Sequence, residues 1–321
     1  MKSLPPADPA WSLSLPLDDV VADYVEALRA AGRSPRTIEW YHAFLAEFIR
    51  FASRPGKRPT LAELSPAVVR GWLVTLQSRP RKPAPASLAG RVRTLKAFGA
   101  WLTVEHDLET HPLRGLRTPK VPQMLVRSLR EPDVLRLIAV AQEQSRMPER
   151  DVAIVLFMLD TGLRVGEVAG LKITNVDFEA GRCRVFGKGA KERSVPVGRR
   201  ARRALRRSLA LRSGIAPNSP LFVGRDGAAL STAGLQNLLR RLVARSSLDV
   251  RCSPHVLRHT FARTFLANGG DVFSLQRILG HSPASLEVTR RYVQLLDDDL
   301  RDTHRRASPI DRLPVIRLPR P

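Results

Sequence analysis

Cysteine, tyrosine, lysine and long apolar runs are all scarce in this chain. Cys183 and Cys252 are the only cysteines, and their spacing matches no metal-binding pattern, so both are expected to be packing thiols in a reducing compartment. The longest apolar run, Val152 to Leu159, is far too short to cross a bilayer, and no membrane partner is expected. No cationic start followed by an apolar stretch and a small-residue cleavage site opens the chain, so a cytoplasmic location is the expectation. No cluster of carboxylates suggests a catalytic metal, and no cofactor is expected. Acidic residues are outnumbered: 30 Asp+Glu stand against 53 Lys+Arg, a net charge of +23. So basic a surface attracts a polyanion and releases its counterions on binding, which makes nucleic acid the natural partner. Only eight of the 53 are lysine, however, so arginine-rich codon usage is a competing source of the charge and the motifs must decide.

What is present is enough chain for two domains. At 321 residues each of two units can bury a core. Residues 17–107 read as one helical unit after an N-terminal extension over 1–16. Leu17 to Ala31 is amphipathic and stopped by Gly32, and Ser34-Pro35 supplies an N-cap and a first-turn proline for a second helix. There Ile38, Tyr41, Leu45 and Phe48 recur at helical spacing and make one apolar face. Ser65-Pro66 opens a third helix through Trp72 and Leu76, and Ser87 is expected to open a fourth carrying Val92, Leu95, Phe98 and Leu102. Four such helices form a small bundle. Residues 108–125, with Pro112, Pro119 and Pro122 among basic residues, read as a linker.

A second, mixed unit is expected over 126–306, followed by a tail over 307–321. Helices over Glu131 to Gln144 and Glu149 to Leu159 lead to a helical turn at Gly166 to Leu171. Three β-type runs follow, Ile173 to Phe178, Arg182 to Phe186 and Arg193 to Val197, as a small antiparallel sheet with Lys188 in the turn between the last two. The remainder is helical. The fold class is therefore mainly α with a small antiparallel β-sheet.

Four segments of the second unit carry chemistry. Thr161-Gly162-Leu163-Arg164 places an arginine at a helix start, where a guanidinium can donate two parallel hydrogen bonds to phosphate oxygens beside backbone N–H groups, and Glu167 could orient a basic partner. Taken singly, such an arginine is ordinarily a surface residue. Gly187-Lys188-Gly189 is no Walker loop, because its glycine spacing and the terminal Lys-Ser/Thr are missing, but a hairpin tip can insert an ammonium into a DNA groove. Taken alone it is a solvated basic turn. Ser253-Pro254 caps a helix on which His255, Arg258 and His259 share a face. A zinc site on the two histidines fails, because the metalloprotease glutamate is missing and Arg258 would put a cation beside the metal. His259 is expected to be structural, buried beside the core. Leu279-Gly280-His281 ends a helix at glycine and delivers an imidazole. Tyr292, the only tyrosine in the C-terminal two-thirds, then follows Arg290-Arg291, whose charges argue for a nearby anion.

Arg164, Lys188, His255-x-x-Arg258, Leu-Gly-His281 and Tyr292, in that order, resemble the active site of the tyrosine recombinases, the lambda-integrase and Xer-like family. The match covers the whole second unit, and the four-helix unit before it resembles that family's core-binding domain. The resemblance implies a C-terminal mixed α/β catalytic domain, a clamp around double-stranded DNA, and site-specific recombination through a 3′-phosphotyrosine on Tyr292. It also implies roles: Arg164 and Arg258 on the non-bridging oxygens, His255 as base, Lys188 as acid and His281 as a phosphate donor. Assembly as a homo-tetramer on paired sites, with or without a second recombinase, follows from the same likeness. Leu295 to Arg301 is then a helix that docks on a neighbouring protomer or folds back over its own domain. A type IB topoisomerase shares much of this chemistry and is the alternative enzyme; a DNA-binding regulator with a vestigial site is the alternative of another class.

Overall fold

The computed structural model describes residues 13–122, 128–187, 192–248 and 253–280. The chain divides into two units, Met1–Met124 and Leu125–Pro321. In the first, α1 (Leu17–Ala30) buries Val20, Val21, Tyr24 and Leu28 on one face, while Asp18 and Asp19 in its first turn hold Arg58 at 2.6 and 2.9 Å. In α2 (Pro35–Ala52) the Ser34 hydroxyl accepts the Thr37 N–H at 3.3 Å, and Leu45 and Phe48 are buried with Ile38 and Tyr41 packed beside them. Ser65 caps α3 (Pro66–Ser78) in the same way, accepting the Val68 N–H.

The fourth helix, α4 (Pro85–Glu105), starts two residues before the expected Ser87. Proline needs no N–H partner at a first turn and its fixed φ suits the helix, so Pro85 takes that place and Ser87 Oγ instead accepts from Arg91. Val92, Leu95, Phe98 and Leu102 of α4 are all fully buried and meet Trp72 and Phe48 in one core. Part of the proline-rich segment joins that core. Leu113 and Leu116 are buried in it, and His111 is fixed between the Lys96 carbonyl and the Leu113 N–H, so the chain is packed as far as Leu116.

The second unit is built on α6 (Pro148–Thr161), where Ala153, Ile154, Val155 and Phe157 of the apolar run are fully buried. Against it pack α5 (Glu131–Glu143), the arginine-rich α8 (Arg199–Ala210) and α10 (Pro254–Ala267). Between them lie the short α7 (Val165–Ala169) and a three-stranded antiparallel sheet, β1 (Val176–Asp177), β2 (Arg182–Phe186) and β3 (Glu192–Pro196), in the order β1-β2-β3. The register pairs Arg182 with Pro196 and Phe186 with Glu192. The first expected strand is shorter than its sequence pattern: Ile173–Asn175 is a 3-10 turn, because Asn175 Oδ1 accepts the Lys172 N–H and the N–H groups of Ile173 and Thr174 bond to Ser219 and Pro217 rather than to a strand. Two further helices, α9 (Thr232–Ser246) and α11 (Val272–Leu279), complete the described part of the unit.

Cys183 faces the core of β2, and burial pushes its thiol up to about 12, as befits a packing residue. Cys252 lies outside the described residues. Among the described residues no helix is long and apolar enough to cross a membrane.

All four tryptophans lie within the first 101 residues, so intrinsic tryptophan fluorescence reads the first unit alone. Phe98→Ala should destabilise that unit by about 3–5 kcal/mol, the usual cost of emptying a buried aromatic site. A urea titration followed by that fluorescence should show the lower midpoint, and an unchanged midpoint would refute this placement of the core.

Candidate active site

The site begins where α6 stops. Gly162 adopts φ +61° there, and a Cβ would lie 2.3 Å from the ring of Phe261, so both backbone and space demand glycine. Two residues on, Arg164 is the N-cap of α7, and Glu167 reaches back to accept its backbone N–H at 2.8 Å. The Arg164 side chain is 44% exposed, and its contacts among the described residues are long, 3.2 Å to Glu167 Oε1 and 3.4 Å to the Leu279 carbonyl.

Arg258 comes from the second turn of α10, whose start is fixed by Ser253 and Pro254. It is only 7% exposed. A guanidinium so deeply placed must find acceptors. It donates to the Gly162 carbonyl at 2.7 Å and to the Leu279 carbonyl at 2.8 Å. Both carbonyls end helices, where the backbone dipoles concentrate negative partial charge. Leu279 thereby serves both arginines, from the last residue of α11 before Gly280 turns the chain at φ +63° toward His281.

A third arginine completes the cluster. Arg193 of β3 places Nη1 and Nη2 at 2.9 Å from Oε1 and Oε2 of Glu167, and its Nε donates to the Ile278 carbonyl at 3.0 Å. Burial by itself would push the Glu167 carboxyl up. The hydrogen bonds and charge of Arg193, with the Arg164 N–H, outweigh that and hold it below the ordinary glutamate value. Its contribution to stability is therefore present at neutral pH and lost as pH falls through that depressed value.

Of the residues singled out in the sequence, the fold brings Arg164 and Arg258 together and leaves His255 exposed on the first turn of α10, one helical turn before Arg258. His259 is partly buried, between the buried Arg258 and Thr260. Lys188, His281, Tyr292 and the segment from Leu295 to Arg301 lie outside the described residues. Sequence reading missed Arg193. The available signal was period-two alternation, which puts Arg193 on the same face of β3 as the buried Val195, where an arginine needs a partner. Among the described residues no group of three or more His, Cys, Asp or Glu is placed to hold a metal ion.

Three arginines and one carboxylate gather at two helix ends and leave the cluster net positive, a charge that suits an anion such as a phosphate group. Residues 127–298 match the phage integrase family, and residues 21–106 match the phage integrase N-terminal SAM-like domain. The sequence is 33% identical over 286 residues to the tyrosine recombinase XerC of Myxococcus xanthus, covering 87% of this chain and 93% of the relative. Two solved structures show the same fold: the Tn1549 transposon integrase in complex with transposon right end DNA, at TM-score 0.71 and 18% identity over 90% of this chain and 99% of that one; and a lambda integrase tetramer bound to a Holliday junction, at TM-score 0.70 and 18% identity over 88% and 82%. The chain belongs to the phage integrase family of tyrosine recombinases and is a DNA strand transferase.

Gly280→Ala should cost about 1–2 kcal/mol from the left-handed backbone alone. The added Cβ would also lie 2.9 Å from Arg193 Cζ, so the Arg193–Glu167 pair has to shift as well. Thermal unfolding of the full chain should show the loss, and an unaltered Tm would contradict this packing of α11 on β3.

Proposed function

We propose that Tyr292 is the nucleophile of this enzyme and that Arg164 and Arg258 bind the scissile phosphate of double-stranded DNA. One observation carries the reading. Arg164 and Arg258, separated by 94 positions in the sequence, donate to the same Leu279 carbonyl, two residues before His281. The net charge of +23 supports a DNA substrate.

In this scheme the phenolic oxygen of Tyr292 attacks phosphorus and the bond to the 5′ oxygen breaks, leaving a 3′-phosphotyrosine and a 5′-hydroxyl. An unperturbed phenol has a pKa of about 10, so it needs a base. We assign that role to His255, which is exposed and one turn from Arg258, and the proton for the departing oxygen to Lys188. Arg164 and Arg258 stabilise the charge that builds on the non-bridging oxygens, with His281 as a further donor. The free 5′-hydroxyl of a second strand then attacks the phosphotyrosine and regenerates the phenol. The covalent link conserves the phosphodiester energy, so neither ATP nor a metal need enter. We place the reaction in the cytoplasm, on duplex DNA.

Tyr292→Phe removes the attacking oxygen and little else. It should abolish the denaturation-resistant protein–DNA adduct on a nicked duplex while leaving DNA affinity nearly intact. An adduct formed by the phenylalanine variant would exclude Tyr292 as nucleophile.

Exchange requires two duplexes cut in step, and a lone protomer has no means of timing them. The lambda integrase of the same fold has been solved as a tetramer bound to a Holliday junction, and we propose a homo-tetramer here on paired sites, with or without a second recombinase. The segment Leu295 to Arg301 carries apolar residues on one side and Asp297, Asp298 and Asp299 near its start, a composition suited to a docking helix. Truncation at Asp297 should leave cleavage of a single site measurable and prevent recombination of two; recombination at the full-length rate by the truncated protein would sink this part of the proposal.

A further inference from the structure

Glu167 is an awkward neighbour for a phosphate-binding arginine. Its side chain is only 8% exposed and reaches Arg164 both through the backbone N–H and through Nη1. Nearest to a phosphate site, a buried carboxylate has two available fates: it can neutralise Arg164, or it can be neutralised by something else. The geometry favours the second. Arg193 meets both carboxylate oxygens at 2.9 Å in a parallel two-bond pairing, whereas Arg164 reaches one oxygen at 3.2 Å. Such bidentate pairing is the stronger arrangement and fixes orientation as well as charge.

Arg193 is itself held in place. Its side chain is 15% exposed, and its third nitrogen, Nε, donates to the Ile278 carbonyl at 3.0 Å. The left-handed Gly280 allows this approach, since a Cβ there would stand 2.9 Å from both Cζ and Nη1 of Arg193. β3 is thus tied to α7 and to the end of α11 by one side chain. Charge counting gives the consequence. With Arg193 present, Glu167 is offset and Arg164 and Arg258 keep two positive charges for an anion. Without it, Glu167 is left buried with Arg164 as its remaining cation among the described residues, and a buried carboxylate that loses its partner is costly enough to draw the half-exposed Arg164 into full pairing.

We propose that Arg193 is a positioning residue that occupies both oxygens of Glu167 and so keeps the Arg164 guanidinium directed at the scissile phosphate. The inference rests on the phosphate-binding role proposed above for Arg164. Arg193 touches no substrate in this scheme; it acts through Glu167.

The test is a suppressor experiment. Arg193→Met keeps length and apolar bulk and removes the charge. In single-turnover reactions on a nicked duplex it should slow adduct formation on the order of 10²-fold, comparable with losing one transition-state donor. Adding Glu167→Gln should restore at least about tenfold of that rate, because a neutral amide no longer captures Arg164. A merely structural role predicts the opposite, with the double variant as slow as the single or slower, and that result would overturn the proposal. A second measurement needs no DNA. The Tm loss from Arg193→Met should shrink in a Glu167→Gln background, and by more than the loss from Arg164→Met does. Equal coupling of the two arginines to Glu167 would overturn the proposal even if the unaltered protein formed no adduct, an outcome that would count separately against Tyr292 chemistry.

Discussion

The second unit depends on a buried guanidinium joining two helix ends. Arg258 is almost wholly removed from water, and its acceptors are the carbonyls of Gly162 and Leu279, which terminate α6 and α11. Desolvating a charge is costly unless it is paired or hydrogen-bonded, so the folded state is favoured only when both helices stop where they do and face the same point. Each stop is made by a left-handed glycine, Gly162 in one case and Gly280 in the other. Helix α6, whose apolar face is buried in the core, lies under one end of this bridge, so the position of Arg258 is referred directly to the core.

Around that bridge the remaining charges are arranged by burial. Arg193 and Glu167 form a pair with little access to solvent, while Arg164, on the same carboxylate, is nearly half exposed. Pairs in the open contribute little to stability because water screens them; Arg58 with Asp18 and Asp19 on the first unit is of that kind. The shielded pair fixes geometry, and the exposed arginine keeps its guanidinium open to solvent. The division follows from where each side chain starts, with Arg193 on the inward face of a strand and Arg164 at a helix N-cap.

The first unit also carries a shielded ion pair, Arg91 with Glu47 at 2.8 Å. Its stability comes from apolar packing, with Phe48, Trp72 and Phe98 at the middle and Phe48 and Trp72 meeting edge to face at 5.3 Å. Arg79 reaches the same Glu47 from a half-exposed position, at 3.0 Å.

The sequence by itself determined the helices of the first unit, the place of the apolar run in α6, the small sheet and the order of the motif residues. These are local matters. Ser-Pro caps, three- and four-residue spacing and two-residue alternation act within a turn or a strand, and they are legible without knowing what packs where. Where competing local choices existed, the sequence left the boundary open: the first-turn fit of Pro85 settled it against Ser87, and the loop at Pro217 to Ser219 settled it over Ile173 to Asn175. Only the tertiary structure decided that Leu279 would serve two arginines at once and that Arg193 would hold Glu167. Those outcomes depend on contacts between residues 21 to 115 positions apart. No periodicity spans such distances; it is the burial of charge, enforced by the packing of α6, α10, α11 and β3 together, that selects the partners.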